Sequence, residues 1–226
     1  MRRTAFFLIF GLGGAAMLIA LGVWQVQRLT WKEGVIAGIE SRIGADPVTL
    51  PDTLDPEADK YLPVRAIGVV EGDELHVLVS VKRVGPGYRI IAPLMLEDGR
   101  RILLDRGFVP SEAKTSARAI GPVEVTGNLH WPQETDGFTP APDLAANTWF
   151  ARDVPAMAEA LDTLPVLLIA RQSSFTDPGV TPLPVDTAAI PNDHLQYAVT
   201  WFSLAAIWLA MTAFFLRRSR ARTAKS

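Results

Sequence analysis
Few side chains in this chain combine the type and spacing that chemistry needs. Its three histidines, His76, His130 and His194, form no His-x-x-x-His pair or other recognisable metal-ligand spacing. There is no Gly-x-Ser-x-Gly elbow, phosphate loop or dinucleotide fingerprint, and the run from Gly11 to Gly14 follows no strand. Ser80, Ser111 and Ser173 have no local signature, so no catalytic residue is nominated, although a triad assembled by the fold would leave no motif to find. Cysteine is absent, which excludes disulfides, thiolate zinc, iron–sulfur ligation and Cys-x-x-Cys-His haem attachment within these residues. Any cofactor would be held by His, Met, Tyr, Trp or backbone.

His76 falls in a predicted strand and His130 beside Trp131 at a strand end, where structural or surface roles are expected. His194 differs in position. Asn192 or Asp193 can cap a helix there, which puts His194 in the first turn. Tyr197, Ala198, Trp201, Ala205 and Trp208 follow on one face. A large planar ligand could lie against that face with a metal at His194, and haem has that shape and takes imidazole as an axial ligand. A neutral imidazole at a helix entrance is equally an ordinary interfacial anchor, and the residues alone leave both readings open.

The element that carries His194 has no charged side chain from Leu195 to Leu216, and about 20 such residues at ~1.5 Å each cross a ~30 Å hydrocarbon layer. A matching uncharged run from Thr4 to Gln27 is longer than a signal peptide's apolar region and reads as a retained anchor; Arg2 and Arg3 give little support for a twin-arginine signal. Gly11, Gly13, Gly14, Ala15 and Ala16 make that helix thin, so the C-terminal span can approach closely. Arg2 and Arg3 before the first span, and Arg217, Arg218, Arg220, Arg222 and Lys225 after the second, outweigh Arg28 and Lys32. The positive-inside bias then puts both termini in the cytoplasm and the body outside it, at a bacterial inner membrane. The expected divisions are an N-terminal span over 1–27, an extracytoplasmic, periplasmic body over 28–193, a C-terminal span over 194–216 and a basic cytoplasmic tail over 217–226.

The first span ends in Trp24 and Gln25, and on the helix continuing past it Trp24, Arg28, Trp31 and Val35 share a face; the helix is expected to run to Gly44. Pro47, Pro51 and Pro56 mark a loop. Strands are predicted at Val64 to Val70, Leu75 to Val81, Tyr88 to Met95, Ile102 to Phe108, Val123 to Leu129 and Val166 to Arg171, with a short helix capped by Asp153 before the last. Their short connections predict a mainly antiparallel small twisted sheet or partly closed barrel, and an α+β membrane protein overall. Asp105 and Arg106 are adjacent on a strand and face opposite ways. Arg106 is expected in an internal salt bridge or loop-carbonyl clamp, and Gly107 at a bulge or tight backbone approach. The segment from Pro178 to Pro191 reads as a semi-rigid strap returning to the second span. With 22 basic against 24 acidic residues, the chain offers no electrostatic footprint for nucleic acid.

Four blocks occur in order along this chain: Trp24, Gln25, Arg28, Trp31 and Lys32; Gly87, Tyr88, Pro93 and Leu94; Gly99 with Arg106 to Pro110; and Asn192, His194, Tyr197, Thr200, Trp201 and Phe202. In these, and in its two terminal spans around an extracytoplasmic body, the sequence resembles the Surfeit locus protein one family over nearly its whole length. That resemblance implies a non-catalytic assembly factor for cytochrome c oxidase, acting at the haem-bearing core subunit and binding haem a during insertion. The partners it implies are that core subunit, haem a synthase and membrane lipid. The family's histidine falls on His194, as axial ligand or close haem contact, with Tyr197, Trp24, Gln25 and Trp201 shaping the pocket. Arg28, Trp31, Gly87, Tyr88, Arg106, Gly107 and Asn192 take structural or partner-binding roles. Asp193 could orient the imidazole instead. A cofactor-free scaffold for the nascent subunit is the second reading, and a membrane-tethered extracytoplasmic enzyme the third.

Overall fold
The computed structural model describes residues 2–177, 179–188 and 190–223, without the side chains of 2–4, 7 and 219–223. Lys225 and Pro178 lie outside the described residues, as do the side chains of Arg2, Arg3, Arg220 and Arg222. The chain forms two compact units, residues 1–38 with 187–226, and residues 39–186.

The first unit is a helix pair, α1 (Arg2–Ile43) and α3 (His194–Thr223). On α1 the residues turned inward are Gly11, Ala15, Leu18, Gly22 and Gln25; on α3 they are His194, Ala198, Trp201, Ala205, Trp208 and Thr212. Both sets alternate steps of three and four, the 3.5-residue repeat that keeps one seam facing a partner helix. Small residues let the backbones close: the Trp208 indole donates to the Gly11 carbonyl at 3.0 Å. A Cβ at Gly14 would come within 2.6 Å of the Trp208 ring, and one at Gly22 within 2.6 Å of Phe202. Gly13, by contrast, has nothing within 4 Å of where a Cβ would be. Beside and away from the seam the pair exposes Ile9, Phe10, Met17, Ile207 and Phe214. Both helices are long and apolar enough to cross a membrane.

The second unit takes the last turn of α1 and the β-rich body. Helix α1 ends one residue before Gly44, whose N–H donates to the Glu40 carbonyl at 2.9 Å. The Ile43 carbonyl, left without an intrahelical donor by the end of the helix, accepts from Asn128 Nδ2 at 3.0 Å and from Arg171 at 3.3 Å. Asn128 is fully buried and also donates to the Tyr61 carbonyl.

The strands are β1 (Val48–Thr49), β2 (Pro63–Val70), β3 (Leu75–Val81), β4 (Gly85–Leu96), β5 (Arg101–Pro110), β6 (Gly121–His130) and β7 (Leu164–Ser173), with helix α2 (Val154–Ala160) before β7. They form one sheet in the order β1-β2-β6-β7-β5-β4-β3, and β2 pairs with β4 as well, so the pairing runs round a ring of five strands. The sheet corrects the antiparallel expectation in two places. Strands β5 and β7 pair in parallel, and so do β1 and β2, the latter within what reads from sequence as plain loop. The other pairings are antiparallel.

Burial explains the parallel pair. In β5, Ile102 and Leu104 enter one core with Val64, Leu94, Val125 and Leu168. Leu103 points the other way, into a second core with Leu167, Ile169, Val154 and Met157 of α2, and Leu161 at its C-cap. Strands covered on both faces are apolar at consecutive positions, as Ile102-Leu103-Leu104 and Val166 to Ile169 are. Asp153 caps α2 by accepting from the Ala156 N–H.

Candidate functional site
The seam of the helix pair ends in its most polar contact. Gln25 is buried on α1, one turn beyond Gly22, and its Oε1 lies 2.7 Å from Nδ1 of His194 in the first turn of α3. A carbonyl oxygen only accepts, so Nδ1 carries the ring proton and donates it. In the neutral ring Nε2 then holds the lone pair, the arrangement found in metal-binding imidazoles whose other nitrogen donates to a carbonyl. Asp193 takes the N-cap position, and its backbone carbonyl accepts from the Tyr197 N–H at 3.2 Å. Asn192, one residue earlier, has a buried Oδ1 that no donor among the described residues reaches. A ligand hydroxyl or water would satisfy it.

The other residues expected here are distributed around that pair. Trp201 is half-buried on the seam one turn from Ala198. Trp24 and Tyr197 are turned outward, 52% and 54% exposed. Arg28 lies over the Trp31 ring, 3.8 Å from its centroid, a cation–π pair on the outer face of α1.

Gly87, Tyr88, Arg106 and Gly107 belong to the other unit. Strands β4 and β5 slip register so that Ile90 faces Gly107 and Ile91 faces Asp105, leaving Arg106 as the extra residue of a bulge. Arg106 donates to the Ala119 carbonyl at 2.8 Å, is paired with Asp177, and lies over the Phe175 ring. It is the clamp expected from sequence. Gly107 sits at φ +125° because Thr181 and Pro182 cross it: a Cβ there would lie 2.8 Å from the Thr181 carbonyl carbon and 2.9 Å from Pro182 Cα. Phe108 and Thr181 exchange two backbone hydrogen bonds of 2.7 and 2.8 Å. Gly87 lets the Phe108 ring approach, and the Tyr88 ring takes the Lys114 ammonium 4.6 Å from its centroid. Arg106, Gly107 and Phe108 thus hold Phe175, Asp177 and Thr181 against the sheet.

Sequence reading missed the polar cluster on the α2 side. Asp105 is fully buried, accepts from Arg89 at 2.6 Å and from the Gly107 N–H at 3.0 Å, and Arg89 also donates to the Leu183 carbonyl at 3.0 Å. Burial pushes the Asp105 carboxyl above its ordinary range, against the pull of Arg89 and Arg152. Arg152 is forked onto Glu134; burial works to raise Glu134, but these hydrogen bonds carry it below its ordinary range. His130 is pushed down to about 4 by burial and by the charges of Arg152, Lys60 and Arg89, and stacks on Tyr61. The signal that could have found this cluster is charge inside apolar strands: Arg89 and Asp105 interrupt runs that are otherwise core. No group of three or more His, Cys, Asp or Glu fit to hold a metal ion occurs among the described residues.

These features define an α+β protein with a pair of long apolar helices and a ring-paired β body, whose candidate ligand group is an imidazole oriented by an amide at the end of an apolar seam. The chain belongs to the SURF1 family, whose profile matches residues 12–206. It is 35% identical over 224 residues to a SURF1-like protein of Monosiga brevicollis, covering 90% of this chain and 85% of that one. It is also similar to Surfeit locus protein 1 of Rattus norvegicus, 30% identical over 214 residues (84% of this chain, 69% of that one). With that of Homo sapiens it is 32% identical over 210 residues (82% and 69%). None of these names denotes a catalytic activity.

Proposed function
We propose that this chain is a membrane-bound assembly factor for cytochrome c oxidase that holds haem a as cargo on His194 and hands it to the core subunit. The observation that carries this reading is the 2.7 Å contact from His194 Nδ1 to Gln25 Oε1, which leaves Nε2 as the ring's electron-pair donor. The donor set suits haem iron: one imidazole, flanking aromatics Tyr197, Trp24 and Trp201, an apolar surround, and an unfilled acceptor on Asn192. Haem a bound there would bring the redox-active iron that the oxidase needs. The chain's own part is to orient the imidazole and to cover the porphyrin edge with Trp and Tyr rings. Both helices cross a bacterial inner membrane in this reading, with the termini cytoplasmic and the ring-paired sheet a partly closed barrel in the periplasm. The core subunit and haem a synthase are the partners, and no catalytic step is assigned to the chain.

A cofactor-free scaffold is favoured by a different observation. Away from the seam α1 and α3 expose Ile9 and Phe214, surface that a nascent subunit's helices could cover. The optical spectrum of the protein purified from cells that make haem a separates the two. A haem a spectrum in wild type that is lost in His194→Ala and shifted in Gln25→Leu supports ligation. A colourless wild type that still sustains oxidase assembly overturns it and leaves the scaffold.

A further inference from the structure
We infer that the groove between α1 and α3 below the Gln25–His194 pair is the seat of the isoprenoid tail that distinguishes haems a and o from haem b. This rests on His194 being the haem site. The groove is a cavity of about 370 Å³ whose walls are almost wholly apolar, formed by Met17 and Leu18 of α1 and Leu204, Ile207 and Met211 of α3. The one polar side-chain group near it, the Trp208 indole N–H, is already taken by the Gly11 carbonyl. Such a lining selects an aliphatic chain and gives nothing to a headgroup or a charged ligand.

Position decides which chain. Leu204, Ile207 and Met211 follow His194 by 10 to 17 residues, and at ~1.5 Å per residue they lie roughly 15–25 Å along α3 from the imidazole. Leu18, Met17 and Gly14 precede Gln25 by 7 to 11 residues, roughly 10–17 Å along α1. A tail of three isoprene units extends roughly 15 Å by ordinary covalent geometry, starting from the porphyrin edge several ångströms from the iron. It spans the interval from His194 to the groove. Both ends of the ligand are then held by the same two helices; of the seam residues between them, Ala198 and Gly22 are small and buried, and Trp201 is half-buried.

The test is a spectrophotometric titration of the full-length, detergent-solubilised protein with haem o and with haem b, which differ only in the hydroxyethylfarnesyl group. Wild type is expected to bind haem o about tenfold or more tightly than haem b. Met17→Trp and Ile207→Trp, made separately at exposed positions that leave the seam intact, should fill the groove. Each should bring the preference below about threefold while leaving haem b affinity unchanged, so that haem b binding reports an intact head site. Equal wild-type affinities, or a preference untouched by both variants, overturn the inference and mean that bilayer acyl chains fill the groove. Failure of wild type to bind either haem overturns the His194 reading itself, and this inference with it.

Discussion

Gly107→Ala isolates what the crossing of 175–186 over β5 is worth. At φ +125° any side chain is strained, and conformations of this kind cost about 1–2 kcal/mol for a residue with a Cβ. The new methyl would also overlap the Thr181 carbonyl and Pro182 Cα, both backbone. Either the segment stays and the overlap costs about 1–3 kcal/mol, or it lifts and forfeits the two Phe108–Thr181 hydrogen bonds at about 1 kcal/mol each. The first route sums to about 2–5 kcal/mol and the second to about 3–4 kcal/mol, so a loss of about 3–4 kcal/mol lies within both. Gly99→Ala supplies the control, because Gly99 has φ +85° but nothing within 4 Å of where a Cβ would be, so only the conformational cost of about 1–2 kcal/mol remains. At ~2–4 °C per kcal/mol for a chain of this size, thermal unfolding followed by circular dichroism should show Gly107→Ala lower by about 6–16 °C and Gly99→Ala by about 2–8 °C. Limited proteolysis within 175–186 should accelerate in the first variant alone. A Gly107→Ala protein that melts with Gly99→Ala and resists the protease equally would refute the reasoning.

Gly22→Leu, which drives a side chain into Phe202, should part the helices at the Gln25–His194 level and return the imidazole to its Nε2–H form. Histidine ¹⁵N spectra check this, and an unchanged Nδ1–H tautomer would sink it. Arg106→Met leaves Asp177 charged with both side chains at most 11% exposed, and should cost about 3–5 kcal/mol in denaturant unfolding. Adding Asp177→Leu should restore part of that loss, and no restoration would argue against the pair. His130 contributes a pH dependence with a definite sign. Unfolded, it binds a proton below about 6.5; folded, it stays neutral down to about 4, so its contribution is whole above pH 6.5 and is lost as pH falls toward 4. His130→Phe, which keeps the stacking on Tyr61, should flatten the stability decline across that window, and an unaltered slope would place the burial penalty elsewhere.

Most of the body was legible because each strand is an apolar run closed by turn residues. Ile102 to Phe108, for example, became Arg101–Pro110 in the fold, and Val166 to Arg171 became Leu164–Ser173. Strand direction was less so, since hairpin spacing says nothing about strands that meet after a detour. The sign that β5 and β7 are central and parallel was their lack of alternation, which double burial produces. Arg106 and Gly107 behaved as their types require, a guanidinium seeking carbonyl and carboxylate, and a glycine where backbone crosses backbone. The Arg89–Asp105 pair escaped because a buried ion pair joins strands, and no spacing within one strand announces it.

The site divides along the same line. His194 stands out in sequence as a lone imidazole at a helix entrance, and Gln25 as one polar residue among several at the end of the first span. Nothing local joins them across 169 positions. Their meeting depends on the register of two helices, and that register is set deeper in the pair, where Gly11 receives Trp208 and Gly22 receives Phe202. The 3.5-residue repeat Gly11, Ala15, Leu18, Gly22, Gln25 carries that information, so the amide is better read as the polar end of a small-residue seam than as one more member of an aromatic belt. A change in seam volume well below His194 should therefore alter which of its nitrogens carries the proton, although the altered residue touches neither the imidazole nor the amide.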